Sequence, residues 1–171
     1  MATISLAKPR LVGFGDGTDV SNVVVDSSGT AFEFNDLVTY GSTSGIDKAT
    51  GGASDTLLAL AADPDVEHDG YYEPVAGSAG KFGDGSGYAQ VVLLSDAQIE
   101  MSTGNEALAT ADLGALFALA YSGTDGVPFV DLSTSSNSGF RIMRVADPVH
   151  GGDIGDTGTR VIGRLTDDLC L

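Results

Sequence analysis

Residues 91–121 read VVLLSDAQIEMSTGNEALATADLGALFALAY, and the reading of this stretch decides the fold class. Its two apolar runs, 91–94 and 116–121, are too short for ordinary helices and are bounded by turn chemistry, so both read as buried strands. Between them Gln98-Ile99-Glu100-Met101 alternates polar and apolar residues, the period of a strand with one covered face. A short helical connector is expected over 106–112. No residue of the stretch belongs to a reactive motif.

The same pattern repeats outward from this centre. Residues 22–26 hold three consecutive valines, Val23 to Val25, and β-branched residues favour strands. Strand-like segments follow at 31–34, 37–40 and 57–61, and later at 128–132, 140–145 and 159–165. Pro128 stands first in its segment, where a lost N–H donor matters least. Residues 41–52 read as a polar loop and 69–87 as a long connection. Its aromatics Tyr71, Tyr72 and Phe82 are suited to capping an open barrel end. Residues 133–139 and 147–158 read as turn and loop. The 24 glycines and 5 prolines are spread along the chain, which suits many short strands joined by turns. The fold class expected is all-β: one β-barrel or β-sandwich domain with long loops over 21–171, preceded by an extended N-terminal arm over 1–20. Lys8-Pro9-Arg10 opens that arm, because proline lacks an N–H and drives its predecessor into an extended conformation. Leu11-Val12-Gly13-Phe14 reads as a short strand within it, and the stretch is either a frayed terminus or an arm that pairs with a neighbouring chain.

The charge sets the partner class. The 171 residues carry 24 acids against 8 bases, a net charge of −16. Such a surface repels phosphate backbones and anionic lipid, which argues against nucleic acid and membrane as partners. One cysteine, Cys170, rules out an internal disulfide framework and reads as a small apolar residue of a terminal strand. The opening MATISLAKPR lacks the apolar core of a secretory signal, and no apolar run approaches the roughly 18 residues of a membrane helix.

Candidate chemistry is sparse. The acids of 63–69 alternate as in an EF-hand loop, but His68 stands where glycine is required and Pro74 where a bidentate glutamate is required. The segment reads as a solvated acidic turn. His68 and His150, with Cys170, are too few and too scattered for a zinc site. Ser86 lies between Gly85 and Gly87, the wrong spacing for a nucleophile elbow. Gly13-Phe14-Gly15 meets Thr18 where a dinucleotide-binding loop needs a third glycine, and no phosphate-binding lysine loop occurs. No catalytic, cofactor-binding or metal residue is therefore assigned, and the chain is read as a non-enzyme without a cofactor.

The bases are unevenly placed. Lys8 and Arg10 lie in the arm, Arg141, Arg144, Arg160 and Arg164 in the last two strand segments, and Lys48 and Lys81 between. Arginine is suited to fixed contacts with carboxylates. Either these side chains pair with nearby acids of the same chain, or the two chain ends supply an adhesive side while the acidic middle faces water. On the second reading the partner interface comprises Lys8, Arg10, Leu11, Phe14, Arg141, Arg144, Arg160 and Arg164.

The order of segments resembles the structural and head-decoration (cement) proteins of tailed-bacteriophage virions. Four matches carry the resemblance: Lys8-Pro9-Arg10-Leu11-Val12-Gly13-Phe14-Gly15-Asp16-Gly17 with the valine run after it; Asp26-Ser27-Ser28-Gly29-Thr30-Ala31-Phe32 leading to Asn35-Asp36-Leu37-Val38; the central strand ending in Ser95-Asp96, then Gln98-Ile99-Glu100-Met101 and Ala109-Thr110-Ala111-Asp112-Leu113-Gly114; and Phe140-Arg141-Ile142-Met143-Arg144-Val145, a loop, then residues 157–165. The order spans nearly the whole chain, and the motifs are short. The chain departs from the pattern in lacking an aromatic, arginine-rich opening.

The resemblance implies a β-barrel or β-sandwich that binds the outside of the major capsid protein shell, as a dimer or trimer, and stabilises the head. It implies a place on the virion exterior after synthesis in the host bacterial cytoplasm. Another virion part, such as a tail tube, connector or adaptor, is the rival reading. A sugar- or calcium-binding β-module is a third.

Overall fold

The structure, a computed structural model, describes residues 6, 8–13, 20–24, 32–33, 35–40, 45–50, 57–61, 71–72, 88–94, 97–123, 126–135, 139–146 and 152–166. The acidic segment 63–69, His68, His150, Phe14, Phe82, Ser86, Lys81 and Cys170, all weighed above, lie outside these residues.

The chain is all-β and its strand pairs are antiparallel. The strands are β1 (Arg10–Gly13), β2 (Val20–Val24), β3 (Phe32–Glu33), β4 (Leu37–Tyr40), β5 (Ile46–Lys48), β6 (Leu57–Ala61), β7 (Tyr71–Tyr72), β8 (Tyr88–Leu93), β9 (Gln98–Ser102), β10 (Leu116–Tyr121), β11 (Pro128–Ser135), β12 (Phe140–Val145) and β13 (Arg160–Leu165). A six-stranded sheet runs β1-β9-β13-β12-β10-β11, a five-stranded sheet β2-β8-β6-β4-β5, and β3 pairs with β7. A bridge between Thr103 and Val130, with the Gly104 N–H donating to the Val130 carbonyl at 3.1 Å, brings β11 back to the end of β9.

One core joins the two large sheets. Leu37, Ala49 and Leu94 from the five-stranded side pack with Ile99, Met101, Phe117, Val130, Phe140, Ile142, Val161 and Leu165 from the six-stranded side. The alternation read in 98–101 is the reason: Ile99 and Met101 point into this core, while Glu100 points to the other face. Val91 and Val92 are adjacent in β8 yet both buried, so that sheet is covered on both faces there, as its unbroken apolar run requires.

Three local readings change. The connector over 106–112 contains a single 3-10 turn, Thr110–Asp112, rather than a longer helical segment. Backbone groups that a helix would need are engaged across the chain: the Leu108 N–H donates to Asp156, and the Leu108 carbonyl accepts from Gly155. The polar loop 41–52 contains β5, paired with β4, and the connection 69–87 contains β7, paired with β3. Segments of two or three residues carry no periodicity, so only a partner strand reveals them. Within the stretch expected as an arm, Arg10–Gly13 forms β1, an edge strand on β9 that overlaps the short strand read at 11–14.

Close approaches and bulges shape the six-stranded sheet. Gly163 of β13 faces Ile142, and the Phe140 ring lies against it; a Cβ there would overlap the ring and the Arg141 carbonyl oxygen. In β10–β11 the register jumps from Ala118 opposite Asp131 to Phe117 opposite Ser135. Asp131 ties this bulge, accepting from the Ser133 hydroxyl at 2.6 Å and the Ser133 N–H at 3.0 Å. The hydroxyl bond is the main reason the Asp131 pKa is lowered; partial burial opposes it, and Thr134 and the Ser133 amide add to it.

Two outcomes follow from this packing. Gly163→Ala should destabilise by about 1–3 kcal/mol, because the ring and a backbone oxygen both have to move; thermal unfolding should show a lower Tm, and an unchanged Tm would refute the close approach. Ser133→Ala should cost roughly 1 kcal/mol or less at neutral pH. A depressed carboxylate stabilises fully above its unfolded range, near about 4, and the gain is lost as pH falls through the folded value. Urea midpoints for the variant and the parent chain should therefore converge on acidification; a gap that persists or widens would contradict the role given to Asp131.

Candidate functional site

Two carboxylates are buried in the described structure. Asp36 follows Asn35, whose φ of 66° is a turn conformation asparagine tolerates, and the turn delivers Asp36 to the start of β4. Its side chain is 2% exposed. Lys8 Nζ lies 2.9 Å from Oδ1 and Lys48 Nζ 3.1 Å from Oδ2. Lys48 ends β5 opposite Val38, so the β4–β5 pairing sets its reach.

Glu100 lies in β9 between β1 and β13, directly opposite Arg10 on one side and Ile162 on the other. Its side chain is 6% exposed. Arg10 donates to Oε2 at 2.5 Å. Arg160 Nε meets Oε1 as an ion pair.

The segment Lys8-Pro9-Arg10 therefore touches both sites. Pro9 is buried, and the cations on either side of it grip one carboxylate next to each large sheet. Arg160 also reaches the Lys8 carbonyl at 3.5 Å, a long contact that adds little. Both oxygens of each carboxylate are engaged by protein cations. The arrangement is a clamp: it fixes the entry of the chain against the body. A buried charge without a partner is very costly, so each carboxylate demands its cations.

The strand register gathers the rest of the arginines. Arg10 stands opposite Glu100, Glu100 opposite Ile162, and Ile162 opposite Arg144; Arg164 stands opposite Arg141, and Arg141 opposite Leu116. Arg160, Ile162 and Arg164 alternate along β13. Directly opposed residues share a face, so all five arginines of the chain lie on the side of the six-stranded sheet turned away from the core. Toward β1 and β9 this face is the clamp, with Lys8 beside it. Toward β12 it is open: Arg141, Met143 and Arg144 are exposed, and Arg164 is half-buried.

The interface residues read from sequence thus divide. Lys8, Arg10 and Arg160 are paired with buried acids of the same chain. Leu11 faces Ile99 and packs against the core. Arg141, Arg144 and Arg164 form the open part, where Arg141 donates to the Gly114 carbonyl at 2.8 Å. The sequence reading missed Asp36, Glu100 and Lys48 as clamp members. Asp36 read as a turn residue and Glu100 as the polar half of an alternation, and neither signal reports burial.

Removing the acid should hurt more than removing an exposed partner. Asp36→Ala leaves two cations facing a dry site and should cost roughly 3–5 kcal/mol. Arg10→Ala removes a side chain that is 64% exposed and should cost about 1 kcal/mol or less. Urea unfolding of the two variants should show this order, and equal losses would argue against the clamp.

No protein-family model matches the chain, and no curated protein matches it.

Proposed function

We propose that the chain is a non-enzymatic head-decoration protein of a tailed bacteriophage, bound to the outside of the major capsid protein shell. The observation that supports this reading is the order of segments shared with that group. Where described, each of its four matches falls on strands or on the turns joining them: β1 and β2, then β3 and β4, then β8, β9 and the 3-10 turn, then β12 and β13.

The physics suits the role. A shell under outward pressure gains from many weak contacts acting together across several subunits. Short edge strands such as β1 and β5 are surfaces that pair readily with a neighbouring chain. The clamp holds the opening segment in place for such a contact, and the excess of acid suits a face turned to water. Assembly as a small homo-oligomer on the virion exterior belongs to the same proposal.

Purified virions provide the test. Mass spectrometry of virion proteins should find the chain in many copies, and antibody labelling should decorate the head. Heads stripped of it should release DNA at a lower temperature than intact ones. Label on the tail would select a tail or connector role instead; absence from virions, or stripped heads of unchanged stability, would overturn the proposal.

A further inference from the structure

The open part of the arginine face breaks a rule of sheet design. Arg141 and Arg164 stand directly opposite each other on neighbouring strands, and like charges so placed destabilise a sheet. Among the described residues no acid pairs with Arg141, Arg144 or Arg164, and the Arg164 Nε is buried without a hydrogen-bond partner. Arg141 donates to the Gly114 carbonyl, but among the described residues these three cations lack the carboxylate partners that the clamp gives Lys8, Arg10, Lys48 and Arg160. Half-buried Leu116 stands opposite Arg141 on the same face, and Met143, 47% exposed, lies beside Arg144 where the β12 register shifts. Arginines around an apolar patch are the composition of a protein–protein interface rather than of a solvated surface.

The chain also carries a complementary surface. Beyond β9, residues 104–108 are joined to 155–158 by the Leu108–Asp156, Gly155–Leu108 and Gly158–Gly104 backbone bonds and by the Ala107–Thr157 bridge. This double loop presents Glu106 and Asp156, with Asp153 beside it, all exposed. We infer that the arginine face of one copy docks on the double acidic loop of a second copy, in a head-to-tail contact. A two-fold contact through the arginine face is disfavoured, since it would set arginine on arginine. A contact between two different patches generates a ring or an open chain of copies. The net charge of −16 opposes association at long range, but salt at physiological strength screens charges beyond about 8 Å, whereas close pairs persist. The inference specifies how copies join and stands independently of the virion reading.

Paired charge reversal of the full chain tests it, with mass measured by sedimentation at moderate salt. The face variant carries Arg141→Glu and Arg144→Glu; the loop variant carries Glu106→Arg and Asp153→Arg. The parent chain should sediment as an oligomer. Each variant alone should be monomeric, with self-affinity weakened at least about tenfold. An equimolar mixture should assemble again, because the reversed face meets the reversed loop and the native face meets the native loop. Circular dichroism checks that each variant is folded; if one is not, Arg141→Gln with Arg144→Gln, or Glu106→Gln with Asp153→Asn, takes its place, and the neutral pair should weaken association. A monomeric parent chain, a folded variant that still assembles alone, or two folded reversal variants that fail to assemble on mixing would overturn the inference. Because no virion is involved, such a failure leaves the head-decoration reading to its own test.

Discussion

Two buried carboxylates must meet positive charge inside a chain that has little of it. That constraint dictates where the opening segment goes. Asp36 and Glu100 each take two cations, and Lys8 and Arg10, either side of buried Pro9, supply one to each. In water such pairs would be worth little; burial makes the alternative, an unpaired carboxylate, so costly that the segment has one favourable place. β1 then completes the edge of the six-stranded sheet beside β9. The clamp contributes specificity of arrangement more than net stability, since desolvation offsets much of the Coulomb attraction.

The body behind the clamp follows from strand chemistry. Ile99 and Met101 point inward because they alternate with Gln98, Glu100 and Ser102; β12 keeps the same period as far as Ile142, where its register against β13 shifts. Irregularities fall where local chemistry permits them: Gly163 admits the Phe140 ring, and Asp131 ties off the β11 bulge through Ser133. One consequence is functional. With the core face filled, the arginines are forced to the other side of the sheet, where Arg10 and Arg160 are neutralised by the clamp and the other three stay open.

This division reshapes the view of charge in the molecule. From composition, the bases at the chain ends form one adhesive set. In the fold, Lys8, Arg10 and Arg160 are internal ties, while Arg141, Arg144 and Arg164 have no acid partner among the described residues. The two readings of the bases therefore apply to different residues. The head-to-tail contact draws on the second group, whereas the decoration role proposed above draws on the edge strands and on the clamp that holds β1.

Much of the strand map was legible in the sequence. The runs 37–40, 57–61, 116–121 and 140–145 match β4, β6, β10 and β12 to the residue, because each is an apolar or β-branched run closed by turn residues. β5 and β7 were not legible, since segments of two or three residues have no period and exist through their partners. Nor was the clamp: Arg10 and Glu100 lie 90 residues apart in the chain, and nothing local marks either as buried. The sequence by itself determined strand class, the inward and outward alternation, and the sign of the surface charge, all short-range properties of neighbouring residues. Only the tertiary structure decided which acids are dry and which arginines are left open, because electrostatic pairing depends on distances that strand register alone sets.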